Sequence, residues 1–241
     1  MQNGSSRVSA LILAAGLVVA ALVLAGGFVK SRSADRYVTV KGTSERDVKA
    51  GLAIWPLRFV ATDDSLDVAQ AGIAKSQKTV LDFLARHGIA PSMTEIQGLE
   101  VTDVLTNPYR SGPATSRYII SQTLMVRAED SNLVLAASQK VGELVDAGVV
   151  LSAQNGPITP TSLFTKLNDL KPEMIGEATT NARRAAEQFA GDSGSKILGI
   201  RRANQGVFEI LPRDRVQGMS EENQIQKTVR VVTTVEYQLA D

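Results

Sequence analysis

No cysteine occurs among the 241 residues, so the fold has no disulfide and the chemistry no thiol; that lack fits either face of a bacterial membrane. Histidine occurs once, and there is no nucleotide-binding loop, metal-ligand cluster or convincing catalytic set. Excess charge is missing too. With Arg7 and Lys30 set aside, 24 bases face 25 acids, which gives no electrostatic basis for binding nucleic acid. Only one long hydrophobic run is present, and everything after Lys30 is too polar to span a bilayer again.

That run, Val8 to Val29, holds no charge and no polar side chain beyond Ser9. As a helix rising about 1.5 Å per residue it would reach about 33 Å, enough to cross a hydrocarbon core of about 30 Å. We read it as a retained transmembrane anchor. A cleaved secretory signal is the alternative, since Arg7 supplies a positive start and Val23 with Ala25 a small-residue cleavage site, although signal cores run only about 7–15 apolar residues. The flanks do not orient it: Arg7 and the N-terminal amine stand on one side, Lys30, Arg32 and Arg36 against Asp35 on the other. The chain therefore divides into a tail (1–7), an anchor (8–29), a linker (30–36) and a domain (37–241). Its 44% apolar content is ordinary for a chain that buries a core.

Within the domain, Tyr37 to Val40 reads as a strand stopping at Gly42, and Ser44 to Lys49 as a charged turn. Leu52 to Val60 is a second strand, made an edge or bulged by Pro56. Asp63, Asp64 and Ser65 are N-cap types before a helix carrying Leu66, Ala69, Ile73, Val80 and Leu84 on one face and stopped by Gly88. Glu95–Leu105 and Arg117–Val126 form a long hairpin around the loop 106–116. A second helix begins at Asp130 or Ser131 and ends at Gly148, with Val134, Ala137, Val141, Leu144 and Val145 aligned. Two short extended stretches follow, and then a third helix from about Asn168 with Pro172 in its first turn. Its stripe is Met174, Ile175, Ala178, Ala182, Ala185, Ala186 and Phe189. Lys196–Ile210, interrupted at Gly206, and Thr228–Leu239 close the chain as strands around a polar excursion. Hairpins mixed with single helices predict an α+β fold, mainly antiparallel sheet with three amphipathic helices.

Gly191-Asp192-Ser193-Gly194 matches the tetrapeptide around a serine-protease nucleophile, with His87 and several aspartates earlier in the chain. The same residues are what a helix-to-strand turn requires, and His87 falls at a helix end, so we assign turn and capping roles. Asp63 and Asp64 lack a further ligand at usable spacing and read as caps. Arg201-Arg202, Arg213 with Arg215, and Tyr109-Arg110 at the hairpin tip are the surface clusters with partner potential.

The segment Val38-Thr39-Val40-Lys41-Gly42-Thr43-Ser44-Glu45, the helix Ala178-Thr179-Thr180-Asn181-Ala182-Arg183-Arg184-Ala185-Ala186-Glu187-Gln188-Phe189-Ala190 followed by Gly194 and Gly199, and the strand Val231 to Leu239 resemble the SIMPL-domain proteins of bacteria. The chain departs from many of them in having Ala50-Gly51 where they carry Pro-Asp. The resemblance implies an α+β domain exported to the periplasm or cell envelope, and homo-oligomerisation into ring- or channel-like assemblies in some members; together with the anchor it leads us to expect a single-pass protein of the bacterial inner membrane with residues 31–241 in the periplasm. It carries no catalytic residue, cofactor or metal. We therefore expect a non-enzymatic, self-associating envelope protein whose partners are its own copies and the bilayer. The alternative is a binding module taking a small ligand, peptide or envelope protein beside the 106–116 and 211–226 loops; an anchored hydrolase using Ser193 is the remote one. The terminal strand, long and β-prone, is expected to be an open edge, making Val229, Val231, Thr233, Val235 and Tyr237, with Tyr109 and Arg110, the candidate contacts of a cyclic homo-oligomer.

Overall fold

A computed structural model describes residues 13–27, 36–106, 115–153 and 158–240. Residues 13–27 form helix α1, reaching about 22 Å at 1.5 Å per residue. Among the described residues no helix is long and apolar enough to cross a membrane; the rest of the expected 8–29 span lies outside them.

After α1 the chain runs through β1 (Tyr37–Lys49), β2 (Leu52–Asp63), α2 (Leu66–Arg86), β3 (Thr94–Asp103), β4 (Tyr118–Ala128), α3 (Ser131–Ser138) and α4 (Gly142–Asp146). There follow β5 (Val150–Leu151), β6 (Thr161–Leu163), α5 (Leu167–Asp192), β7 (Lys196–Gln205), β8 (Glu209–Pro212) and β9 (Gln226–Ala240). This is the expected α+β class, with antiparallel pairings in both sheets. The residues fall into two compact units: one of residues up to 45, 171–209 and from 230 onward, the other of 46–170 and 210–229.

The 46–170 unit holds a five-stranded sheet, order β3-β4-β2-β5 with β6 also on β2. Alternation along β2 buries Ala53, Trp55, Leu57 and Phe59, which pack with Leu124 and Val126 of β4 against Val80, Phe83 and Leu84 of α2. Burying each of these large side chains is worth about 1.5–3 kcal/mol. The Trp55 indole keeps its polar end satisfied by donating to the Ile158 carbonyl. Helix α2 buries Ala69, Ile73, Val80 and Leu84 as its periodicity predicts, although Leu66 at its start is exposed, and it stops at Gly88, whose φ of 82° is the left-handed turn a glycine supplies at least cost.

Several expectations need correcting. β2 is interior rather than an edge. Pro56 is tolerated because it lies between β6, which pairs at Leu52–Ile54, and β5, which pairs at Phe59–Val60, where no described strand needs its missing N–H. The second helix is two, because the chain turns through Gln139–Val141 between α3 and α4; Val145 is left exposed while Val134, Ala137 and Leu144 are buried. On α5, Pro172 falls in the second turn, Phe189 is exposed, and the buried stripe is Met174, Ala178, Ala182, Ala186 and Ala190.

β1 does not stop at Gly42; it continues to Lys49, with Val40, Gly42 and Ser44 buried in alternation. The second sheet has the order β1-β9-β7, and β8 also pairs with β9. The terminal strand is thus central, not an edge, and its buried row includes Val229, Val231, Thr233, Val235 and Tyr237. One-sided burial explains that run without any partner: its β-prone residues fill a core, while Thr228, Arg230, Val232 and Glu236 alternate with them.

Candidate functional site

Two of the three stretches that carry the family resemblance meet at Gly42. Gly42 lies so close to α5 that a Cβ built on it would fall onto the Ala178 carbonyl oxygen and the Ala182 amide. Here glycine is needed for approach, not for a turn. Around it, Ser44 donates to the Glu177 carboxylate at 2.7 Å and Asn181 donates from its amide to the Thr43 carbonyl at 2.8 Å. The alanines at 178 and 182 are what let backbone meet backbone. Ser44 and Glu177 stand out from no local motif; the signal for Ser44 is the alternation through Gly42, which puts it on the buried face.

On the other flank of α5 lies a cavity of about 490 Å³, bounded by Thr179, Arg183 and Glu187 of the helix, by Ile197 and Ile200 of β7, and by Tyr237. Arg183 and Glu187 form an i,i+4 ion pair at 2.9 Å on its wall. Burial pushes the Tyr237 phenol up from its ordinary value, against the opposing pull of Arg183. β7 ends its sheet, and its pairing with β9 shifts register between Ile197 and Gly199 and between Ile200 and Arg202, leaving Leu198 and Arg201 as bulged residues. Leu198 and Ile200 are exposed, and the Arg201 guanidinium sits 4.7 Å over the Tyr37 ring.

β3 is the terminal strand of the other sheet. Ile96, Leu99 and Val101 stand opposite Leu124, Gln122 and Ile120, so they share the face on which Leu124 and Ile120 are fully buried. Yet they are 51%, 54% and 49% exposed, and Leu105 beyond the strand is 58% exposed. Gln122, beside Leu99, keeps a buried Oε1 with no hydrogen-bond partner. The opposite face is polar: Arg58 donates to Glu100 and to Ser121, each at 3.0 Å.

The base of the β3–β4 hairpin is clamped. Arg117 makes two hydrogen bonds to one carboxylate oxygen of Asp103, at 3.0 and 3.2 Å, while the other accepts from the Leu105 amide. The Arg117 bond holds the Asp103 carboxyl below its ordinary range, and Asp103 in turn raises the guanidinium. Tyr109 and Arg110 lie outside the described residues.

Most of the remaining sequence candidates have partners nearby in the fold. Asp63 caps the turn into α2 by accepting from the Ser65 amide, and Asp64 accepts from the Arg117 amide. The Ser193 hydroxyl donates to the Ala190 carbonyl at the end of α5; the His87 ring nitrogen faces the Glu143 carboxylate at 3.2 Å. Arg213 pairs with Asp214. The 211–226 excursion is held by its own side chains: Gln224 bonds the Asp214 backbone at both ends of its amide, and the fully buried Lys227 reaches the Glu221 carbonyl and carboxylate. Among the described residues there is no group of three or more His, Asp or Glu placed to hold a metal.

A comparison with curated proteins gives no match. A family model described as SIMPL, protein of unknown function (DUF541), matches residues 38–237. That match runs from β1 through the α5 clasp to Tyr237 in β9, and the chain belongs to the SIMPL family.

Proposed function

We propose that the chain is a non-enzymatic, membrane-tethered envelope protein that works by associating with copies of itself. The observation that carries this reading is β3, a terminal strand whose core-side row of Ile96, Leu99 and Val101 is half exposed. Apolar rows on a terminal strand, with its outer backbone groups unpaired, are a template for pairing with another chain. The uncharged run 8–29 supports a tether at the bacterial inner membrane, with residues 31–241 on the periplasmic side, as in exported relatives. Tethered copies share a plane and meet at raised effective concentration, so a modest contact suffices. Ser44 and Asn181, polar residues of the family-like stretches, are engaged with Glu177 and the Thr43 carbonyl in packing α5 on β1, and Ser193 and His87 each have a local partner, which favours association over catalysis.

The test is the mass of the detergent-solubilised full chain by light scattering, for the native sequence and for Leu99→Lys. A multiple of 25.7 kDa for the native chain, falling toward one copy in the variant, supports the reading. A monomer at micromolar concentration overturns it.

A further inference from the structure

We propose that the outer edge of β7, on which no strand pairs among the described residues, together with the cavity β7 shares with α5, captures an extended acidic segment of another polypeptide by strand addition. The register with β9 sorts the side chains of β7 into two rows. Ile197, Ile200 and Ala203 stand opposite Leu239, Tyr237 and Val235, on the face where Tyr237 and Val235 pack against α5. Lys196, Gly199 and Arg202 stand opposite Ala240, Gln238 and Glu236, on the other face. The inner row is apolar and looks onto a cavity of about 490 Å³; the outer row carries two cations, and residues 196–205 include three bases and no acid.

A strand added beside β7 would place alternate side chains into these two settings. Its inner residues would fill the space between Ile200 and the Arg183–Glu187 pair, and its outer residues would face Lys196 and Arg202. Glu236 already lies across from Arg202 on β9, so the incoming acid shares that guanidinium rather than meeting an unopposed charge. The partner is therefore an alternation of medium-sized apolar residues with acidic ones. The bulges at Leu198 and Arg201 limit the continuous ladder to short pieces, which protects β7 from indiscriminate pairing and confines capture to a short segment. This inference is independent of β3: variants that dissociate copies there should leave β7 capture intact.

The experiment uses the full chain in lipid nanodiscs and two fluorescent decapeptides, one alternating Glu and Val, the other alternating Lys and Val. Anisotropy should report binding of the Glu-Val peptide and little of the Lys-Val peptide. Ile200→Asp should weaken Glu-Val binding by about tenfold or more, and Lys196→Glu with Arg202→Glu should reverse the preference between the peptides. Hydrogen exchange on the native chain provides a readout free of any variant: the Glu-Val peptide should slow exchange of amides within 196–205. Equal binding of both peptides, or no added protection in 196–205, overturns the proposal.

Discussion

Replacing Gly42 with alanine should damage this protein more than a methyl group added at any other described glycine. The new Cβ would lie on the Ala178 carbonyl oxygen and the Ala182 amide, both backbone atoms of α5, and 2.9 Å from the Ala182 Cβ. A flexible side chain could swing away; a helix backbone can yield only if the whole element lifts off β1. Overpacking of this kind costs about 1–3 kcal/mol, and a backbone obstacle puts it at the upper end. Lifting α5 also stretches the Ser44–Glu177 bond of 2.7 Å and the Asn181–Thr43 bond of 2.8 Å, each worth about 1 kcal/mol. The expected loss is about 3–5 kcal/mol, which for a chain of this size lowers the melting temperature by roughly 10 °C. Circular dichroism melts of the full chain in detergent measure it. Ala182→Gly in the same chain removes only the third obstacle, so it should restore little. A change within about 0.5 kcal/mol for Gly42→Ala, or complete rescue by Ala182→Gly, would refute the backbone-contact reasoning.

Three further outcomes follow from the same packing and charge arrangement. Ala182→Leu, fully buried against the sheet, should cost about 2–3 kcal/mol, whereas Ala185→Leu on the half-buried flank should cost well under that; equal effects in chemical denaturation would contradict the position of the stripe. Glu221→Ala removes the carboxylate from the buried Lys227 and should destabilise by about 2 kcal/mol, discounted because Glu221 keeps some solvent; Lys227→Met should be milder, since no charge is then left buried. The folded-state pKa of Asp103 is lowered, so its contribution is present above the ordinary value of 3.8 and fades as pH falls below that, through the lowered folded value. Carbon-detected titration of its carboxyl should place it below 3.8, and Arg117→Gln should bring it back toward 3.8.

Legibility in the sequence followed the range of the forces involved. Helix α2 was readable because its face recurs every three to four residues and Gly88 closes it locally. The helix-to-strand turn at Gly191–Gly194 was readable for the same reason, and Gly194 adopts a φ of 67°. Gly42 misled because a strand glycine marks either an end or a close approach, and only the partner helix, more than a hundred residues away, decides which. β9 misled more seriously. Its alternation correctly implied a strand with one buried face, but that same pattern fits an edge and a centre alike; strand order depends on pairing with β1 and β7, which no local signal encodes. The exposed row of β3 was missed because Ile96 and Leu99 are separated by a register shift at Ile96/Gly98 that breaks the period-two pattern.

Whether copies meet through β3 can be read from solvent access at one side chain. Because the native chain has no cysteine, Leu99→Cys and Val207→Cys each supply a unique thiol. In an isolated copy Leu99 is 54% exposed and Val207 is 84% exposed, so a bulky maleimide should label them at comparable rates. In membranes holding the assembled protein, thiol labelling at position 99 should be slowed by about tenfold or more relative to position 207, because a packed contact excludes solvent. Labelling at 99 that keeps pace with 207 in those membranes would contradict it.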